Sequence, residues 1–394
     1  MNRIILIAFA VAAALLLSAC GSTRELERIA PTRSPEEVLA ALTGPGGDRL
    51  PGVAVSVIKG GETVYRGAAG VRKTGSPEKV TIADPFHLGS DTKAMTALIC
   101  GILVDRGLLS WDSTITEILG AGYPCRAEYH DITLEQLLSH TAGLPAAIPT
   151  AQWLEFFPYD SPRGNDRERM VSVSLSLAPV SEPGSAFLYS NLGYVIAGYM
   201  AERAAGKSWE TLMRTELFEP LGMTGAGFGP PARGDSQGAS GTGRDSITAP
   251  WGHAPQPVDP AYEYADNPAA LGPAGTCHAS VLDLERYLSV YRDGGTGITG
   301  RRMVSTETID ELTTPRLEGY ALGWLTGVSD QGKRFLSHDG SNTMFYCSIT
   351  VFPDDADAVI VLANRGDGEA PLLVTELALY LAERFLSATV SGIE

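Results

Sequence analysis

Across 394 residues, 46 aspartates and glutamates outweigh 30 lysines and arginines, for a formal charge of −16. Such a surplus repels phosphate backbones and anionic headgroups, so the chain is expected to have no nucleic-acid partner. Six scattered histidines, with neither His-x-x-x-His nor Cys-x-x-Cys, give no metal-ligand spacing.

Arg3 precedes an uncharged apolar run from Ile4 to Leu17, closed by Leu17-Ser18-Ala19-Cys20. The run falls short of the ~20 apolar residues that span a bilayer, and its small-residue ending marks a signal peptide over residues 1–19. Leu-Ser-Ala-Cys resembles the bacterial lipobox, which would make Cys20 a lipidated first residue. An ordinary signal peptide that contains a cysteine is the alternative. Gly21, in place of an aspartate, points to the outer membrane in a Gram-negative cell. Either way the expected location is the cell envelope, on the periplasmic side. Residues 20–33 are polar and aperiodic and suit a tether. Outside the cytoplasm Cys100, Cys125, Cys277 and Cys347 could pair in three ways. Cys100–Cys125 with Cys277–Cys347 is the pairing expected.

Ser34-Pro35-Glu36-Glu37 combines a capping box with proline in the first helical turn, predicting a helix to about Leu42. Val53–Ile58 and Thr63–Ala68 alternate around Lys59-Gly60-Gly61-Glu62 and read as a β-hairpin. A long helix follows Ser90, with apolar residues at Leu98, Ile99, Ile102 and Leu103. Thr133-Leu-Glu-Gln136 opens a short helix ended by Gly143-Leu-Pro145. Asn191–Ala205 is periodic and stops at Gly206. Ser208 caps a helix reaching Leu217, and residues 222–251, dense in glycine, proline and serine, read as a long loop. Leu282–Tyr291 returns to helix. Strands are expected at Tyr320–Leu325, Arg334–Ser337, Phe345–Phe352 and Ala358–Leu362, before a closing helix from Glu369 to Leu386. Strands at both ends with helices between imply an α/β (α+β) fold, its antiparallel sheet built from N- and C-terminal strands. The expected domain, 34–386, divides into a sheet subdomain (about 34–100 and 270–386) and an inserted helical subdomain (about 101–269).

Three of the six lysines, Lys59, Lys79 and Lys93, have a serine three residues earlier. Ser56 and Lys59 lie in a strand pattern, where positions three apart face opposite ways. Ser76 and Lys79 lie among turn residues. Only Ser90 and Lys93 open a long helix, which sets them one turn apart on one face. A serine hydroxyl needs a base, and a desolvated lysine with a depressed pKa can serve. Acyl transfer also needs a second proton-handling group and oxyanion donors. Tyr189-Ser190-Asn191, at a helix start, can supply the former. His338-Asp339-Gly340-Ser341, after a strand, can supply the latter, because glycine there permits close approach of a ligand. Gly234-Asp-Ser236-Gln-Gly238 matches a nucleophile elbow but lacks the strand and helix that elbow needs. Gly295-x-Gly297-x-x-Gly300 lacks a βαβ unit.

In this order, Ser90-x-x-Lys93, Tyr189-x-Asn191 and His338-x-Gly340 resemble the serine β-lactamase-like hydrolases: class C β-lactamases, DD-peptidases and related esterases. Residues 132–145, Pro183–Tyr194, Glu219–Met223 and Val359–Asn364 are similar to that family as well, so the resemblance covers roughly 35–386. It implies a β-lactamase/transpeptidase-like fold, with Ser90 as acylated nucleophile, Lys93 as its activating partner and Tyr189 as general base and acid. It also implies that Asn191 contacts substrate and Lys93, and that the N–H groups of Ser90 and Ser341 form the oxyanion hole. His140 resembles a family position and is read as structural. No cofactor is implied. His338 stands where β-lactamases have the lysine of Lys-Thr-Gly, and a neutral imidazole holds no fixed charge for a substrate carboxylate. Asp339, facing the cleft, would repel one. The reading is therefore an exported serine hydrolase acting on a small-molecule or peptide ester or amide carbonyl. A β-lactamase or DD-peptidase, and an inactive cell-envelope binding lipoprotein, are the alternatives.

Overall fold

The computed structural model describes residues 33–44, 49–159, 164–233 and 247–387. The signal segment 1–19, Cys20, nearly all of the tether and Ser236 lie outside the described residues. Among those described, no helix is long and apolar enough to cross a membrane.

Helix α1 (Pro35–Leu42) starts with the expected capping box between Ser34 and Glu37. The hairpin follows as β1 (Gly52–Lys59) and β2 (Glu62–Gly70). β3 (Phe86–His87) leads through a single turn of 3-10 helix, Gly89–Asp91, into α2 (Thr92–Asp105). Every residue of α2 from Thr92 to Leu103 is buried. A helix apolar on all sides belongs at the centre of a domain, and each buried leucine or isoleucine contributes about 1.5–3 kcal/mol. Against α2 packs α5 (Asn191–Ala205), which ends at Gly206 in the left-handed region, and α3 (Leu134–Leu138) and α4 (Asp166–Ser176) pack in turn on α5. β4 (Gly227–Phe228) and β5 (Cys277–Ala279) join β3 in a small antiparallel sheet of order β3-β5-β4. Then come α6 (Val281–Arg292), α7 (Thr306–Thr313), β6 (Leu325–Val328), β7 (Arg334–Ser341), β8 (Tyr346–Phe352), β9 (Asp357–Ala363) and α8 (Ala370–Leu381).

The main sheet runs β2-β1-β9-β8-β7-β6, antiparallel throughout. Strands from the two ends of the chain meet where Val53 pairs Ala363 and Val57 pairs Val359. Both faces of β1 are covered. Val53, Val55 and Val57 pack with Val38, Leu39, Leu373 and Leu377 of α1 and α8. Ala54 and Ile58 face the other core, which holds α2 and α6, and Ser56 donates to Glu285 of α6 at 2.6 Å.

Several expectations are corrected. The strand placed at Tyr320–Leu325 begins at Leu325. Gly319 and Gly323, with φ of 72° and 92°, turn the chain before it, and a methyl on Gly323 would lie 2.6 Å from Ala94 Cα. That apposition wedges the turn against the start of α2. The strand expected to stop at Ser337 runs on to Ser341, because β8 pairs with it to the end. The helix after Thr133 ends at Leu138 rather than Gly143, since His140 takes φ of 60°. Helix α7 was not expected from the sequence, and β4 interrupts the glycine-rich run. The expected disulfides are absent: Cys100, Cys125, Cys277 and Cys347 are all free thiols. The Cys347 thiol points to the Asp91 carboxyl, donating to Oδ2 at 2.6 Å, rather than to Cys277. Titration of the chain truncated before Gly21 in denaturant without reductant should therefore count four thiols. Zero or two would restore the pairing.

Candidate active site

The turn between β3 and α2 shapes the site. Gly89 has φ of 49°, and a methyl there would sit 2.3 Å from the backbone nitrogen of Ser341. Only glycine combines that φ with so close an approach. Ser90, next in the turn, keeps partial exposure, whereas Lys93 one turn deeper has none. The Lys93 Nζ lies 2.9 Å from Ser90 Oγ and donates to the Ala274 carbonyl at 2.8 Å. The Tyr189 and Tyr194 rings stand 4.9 and 5.7 Å from the amine. Burial brings the Lys93 pKa down to about 7, against the pull of Asp91 in the other direction. A displacement of that size is worth on the order of 5 kcal/mol against the charged form. A neutral amine beside a serine hydroxyl can take its proton.

Tyr189 arrives just before α5. Ser190 caps that helix, accepting from Leu192 N–H at 3.2 Å and donating to the Pro145 carbonyl at 2.5 Å. The Ser190 N–H in turn donates to His140 Nδ1 at 3.1 Å, and the His140 ring packs 4.2 Å from that of Tyr189. Lacking any partner for its Nε2 among the described residues, His140 serves here as a brace for the tyrosine. The phenol of Tyr189 interacts with the Ser90 hydroxyl, which lowers its pKa, but burial dominates and raises it well above the ordinary value. At neutral pH the group is a phenol and a donor. A protonated Tyr189 cannot take the proton of the serine hydroxyl, whereas the neutral amine of Lys93 can. Asn191 is the first residue of α5. The amine of Lys93 bonds instead to Ser90 and Ala274, so the expected contact between Asn191 and Lys93 is not made.

The third wall is the end of β7. His338 and Gly340 face α2, and a methyl on Gly340 would come within 1.9 Å of the Leu88 carbonyl. Nothing larger than glycine lets the strand lie against the serine turn. His338 Nδ1 donates to the Asp339 carbonyl at 2.8 Å, which leaves Nε2 to accept from the Tyr320 hydroxyl at 3.3 Å. Burial and the nearby Lys93 push its pKa down to about 3, so the ring is neutral in the physiological range. Asp339 does not line the cleft. Strand alternation turns it to the opposite face, where its carboxylate accepts from Tyr346 at 2.8 Å and from Ser348.

Thus Ser90, Lys93, Tyr189, His338, Gly340 and Ser341 converge, while Asp339 turns away and no hydrogen bond joins Asn191 to Lys93. The Ala274 carbonyl, Tyr320 and Asp91 were not anticipated. A backbone carbonyl carries no side-chain signal, and Tyr320 was placed in a strand. Desolvation pushes the pKa of Asp91, fully buried behind Ser90, well above the usual carboxylate range. Among the described residues no cluster of three or more histidine, cysteine or acidic side chains could hold a metal.

A family model described as Beta-lactamase matches residues 39–382. The chain is 27% identical over 333 residues to penicillin-binding protein 4 of Amycolatopsis lactamdurans, a match covering 80% of this chain and 81% of that protein. It is also 27% identical over 331 residues to unguisins hydrolase ungD' of Aspergillus campestris, covering 80% of this chain but 58% of that longer protein. Among solved structures, the octameric penicillin-binding protein homologue from Pyrococcus abyssi superposes with a TM-score of 0.68 at 25% identity, over 90% of this chain and 76% of that one.

The depressed amine fixes a pH dependence. Activity that needs neutral Lys93 should climb about tenfold per pH unit below the pKa and level off above about 7. The kcat/KM profile of an ester substrate checks this, and a flat profile from about pH 5 to 8 would remove Lys93 as the base.

Proposed function

The chain belongs to the beta-lactamase family of serine hydrolases, and on that footing we propose that it cleaves ester and amide bonds of small molecules or peptides whose acyl part lacks a terminal carboxylate. The observation that carries the reading is the buried Lys93 amine, 2.9 Å from the partly exposed Ser90 hydroxyl. Neutral His338, in place of a fixed cation, supports the restriction on substrates.

In this mechanism Ser90 Oγ attacks the carbonyl carbon as its proton passes to Lys93, and the ammonium formed stays bonded to the Ala274 carbonyl. Backbone N–H groups of Ser90 and Ser341 receive the oxyanion, a contribution that typically amounts to about 3–4 kcal/mol per donor. The protonated phenol of Tyr189 gives its proton to the departing alcohol or amine, leaving an acyl-enzyme, a phenolate and an ammonium. Water then loses a proton to the phenolate as its oxygen attacks the acyl carbon. Collapse expels Ser90 Oγ, which recovers its proton from Lys93. Both groups end as they began.

Ser90→Ala should abolish hydrolysis and covalent labelling by a fluorophosphonate, and Lys93→Ala should lower kcat by at least ~100-fold. Mass mapping of the adduct to any residue but Ser90 would overturn the assignment. A methyl ester should be preferred at least ~tenfold over its carboxylate-ended counterpart, since burying an unpaired carboxylate is costly. An equal or reversed preference would refute the neutral-end reading.

Export and a lipid anchor on Cys20 belong to the same proposal, supported by the Leu17–Cys20 sequence alone. Cys20→Ser should move the protein from the membrane to the soluble fraction of the cell. Unchanged fractionation would refute the anchor.

A further inference from the structure

The two oxyanion donors of the proposed mechanism come from distant stretches, the serine turn and the end of β7. Each is flanked by a buried side chain whose chemistry the mechanism does not use. On one side His87 of β3 accepts the Gly89 N–H on Nδ1 at 3.0 Å. That leaves Nε2 as the protonated nitrogen, and it donates to Asp266, 2.9 Å from Oδ1 and 3.0 Å from Oδ2. On the other side Asn342 donates through Nδ2 to Asp266 Oδ1 at 3.1 Å. Its Oδ1 accepts the N–H groups of Met344 and Phe345 at 3.2 and 3.0 Å, which fixes the turn leaving β7. Asp266 Oδ1 also accepts the Asn267 N–H at 2.7 Å. The side chains of His87 and Asp266 have no exposure to solvent, and Asn342 is nearly as buried.

We infer that Asp266 is a positioning residue that sets the Ser90 and Ser341 N–H groups relative to one another, through His87 on one side and Asn342 on the other. The physical need is clear. Oxyanion donors act only when they lie ~2.7–3.1 Å from the developing charge, and a 1 Å misplacement can cost about 100-fold. Gly89 touches Ser341 closely, so the two backbones meet, but contact alone does not fix their relative angle. A carboxylate accepting from both flanks fixes it, because three polar donors converge on one immobile, fully desolvated group. The residue before Ser90 and the residue after Ser341 are thereby tied to a common point. Asn267 adds a second anchor by donating to the Gly275 carbonyl at 3.0 Å, next to the carbonyl that holds Lys93.

This role rests on the Ser90 acyl-enzyme reading, and the test separates the two. Asp266→Asn, Asn342→Leu and His87→Gln are compared with the unaltered protein and Ser90→Ala on an aryl ester and its thionoester, whose sulfur accepts hydrogen bonds poorly. Asp266→Asn and Asn342→Leu should each lower kcat for the ester about 10- to 100-fold with KM within about threefold, and the ester-to-thionoester ratio of kcat/KM should fall at least ~tenfold. Both substrates meet the same protein, so loss of folded material cancels from that ratio. His87→Gln, the mildest change, should move it in the same direction by less. Ratios equal to that of the unaltered protein, alongside an inactive Ser90→Ala, overturn the role of Asp266 alone. Hydrolysis surviving in Ser90→Ala overturns the acyl-enzyme reading beneath it.

Discussion

A lysine amine taken wholly out of water, between a serine hydroxyl and the Ala274 carbonyl, is the constraint on which the rest depends. Burial of a cation is opposed by desolvation, and the pull of Asp91 and of two aromatic rings offsets it only in part. Its proton is therefore loosely held. The unfolded chain keeps Lys93 charged up to ~10.4, while the folded chain releases the proton near 7. Unfolded molecules bind more protons across that window, so this residue's contribution to stability rises with pH between those values and is least favourable below both. The fold tolerates the cost because α2 is enclosed by apolar side chains on all sides.

Holding that amine dry requires the surrounding elements to close around one end of α2. Thr96 donates to the Pro273 carbonyl at 2.7 Å and accepts from the Trp209 indole at 3.1 Å, which seats the Pro273–Ala274 segment over the lysine. Gly323 and Gly340 let the turn before β6 and the end of β7 approach where any side chain would collide. His140 props Tyr189 from behind. These contacts come from stretches far apart in the chain and gather around the N-terminal end of one helix. Rigid packing of this kind is what holds reacting groups in register before a substrate arrives.

The substitution of histidine for a cation on β7 changes the electrostatics without changing the architecture. His338 spends both ring nitrogens on Asp339 and Tyr320, and Asp339 spends its carboxylate on the far face. The site thus sets a neutral imidazole among the packed rings of Phe187, Tyr189 and Tyr320.

Sequence by itself determined the elements whose signals are local. The capping box at Ser34, the hairpin around Gly60-Gly61, the stop at Gly206 and the periodic run after Ser90 each have their cause within a few residues. It also determined the spacing of Ser90 and Lys93, because a helix turn places them together whatever surrounds it. What lay beyond local signals was decided by packing. The state of Lys93 depends on how completely distant segments exclude water. The state of Tyr189 follows from a burial that no triplet encodes, and Cys347 stays clear of Cys277 because its sulfur is directed to Asp91. The facing of Asp339 is set by strand register, and the brace through Asp266 joins residues far apart in the chain. Desolvation and register are properties of the assembled core, and residue order alone carries neither.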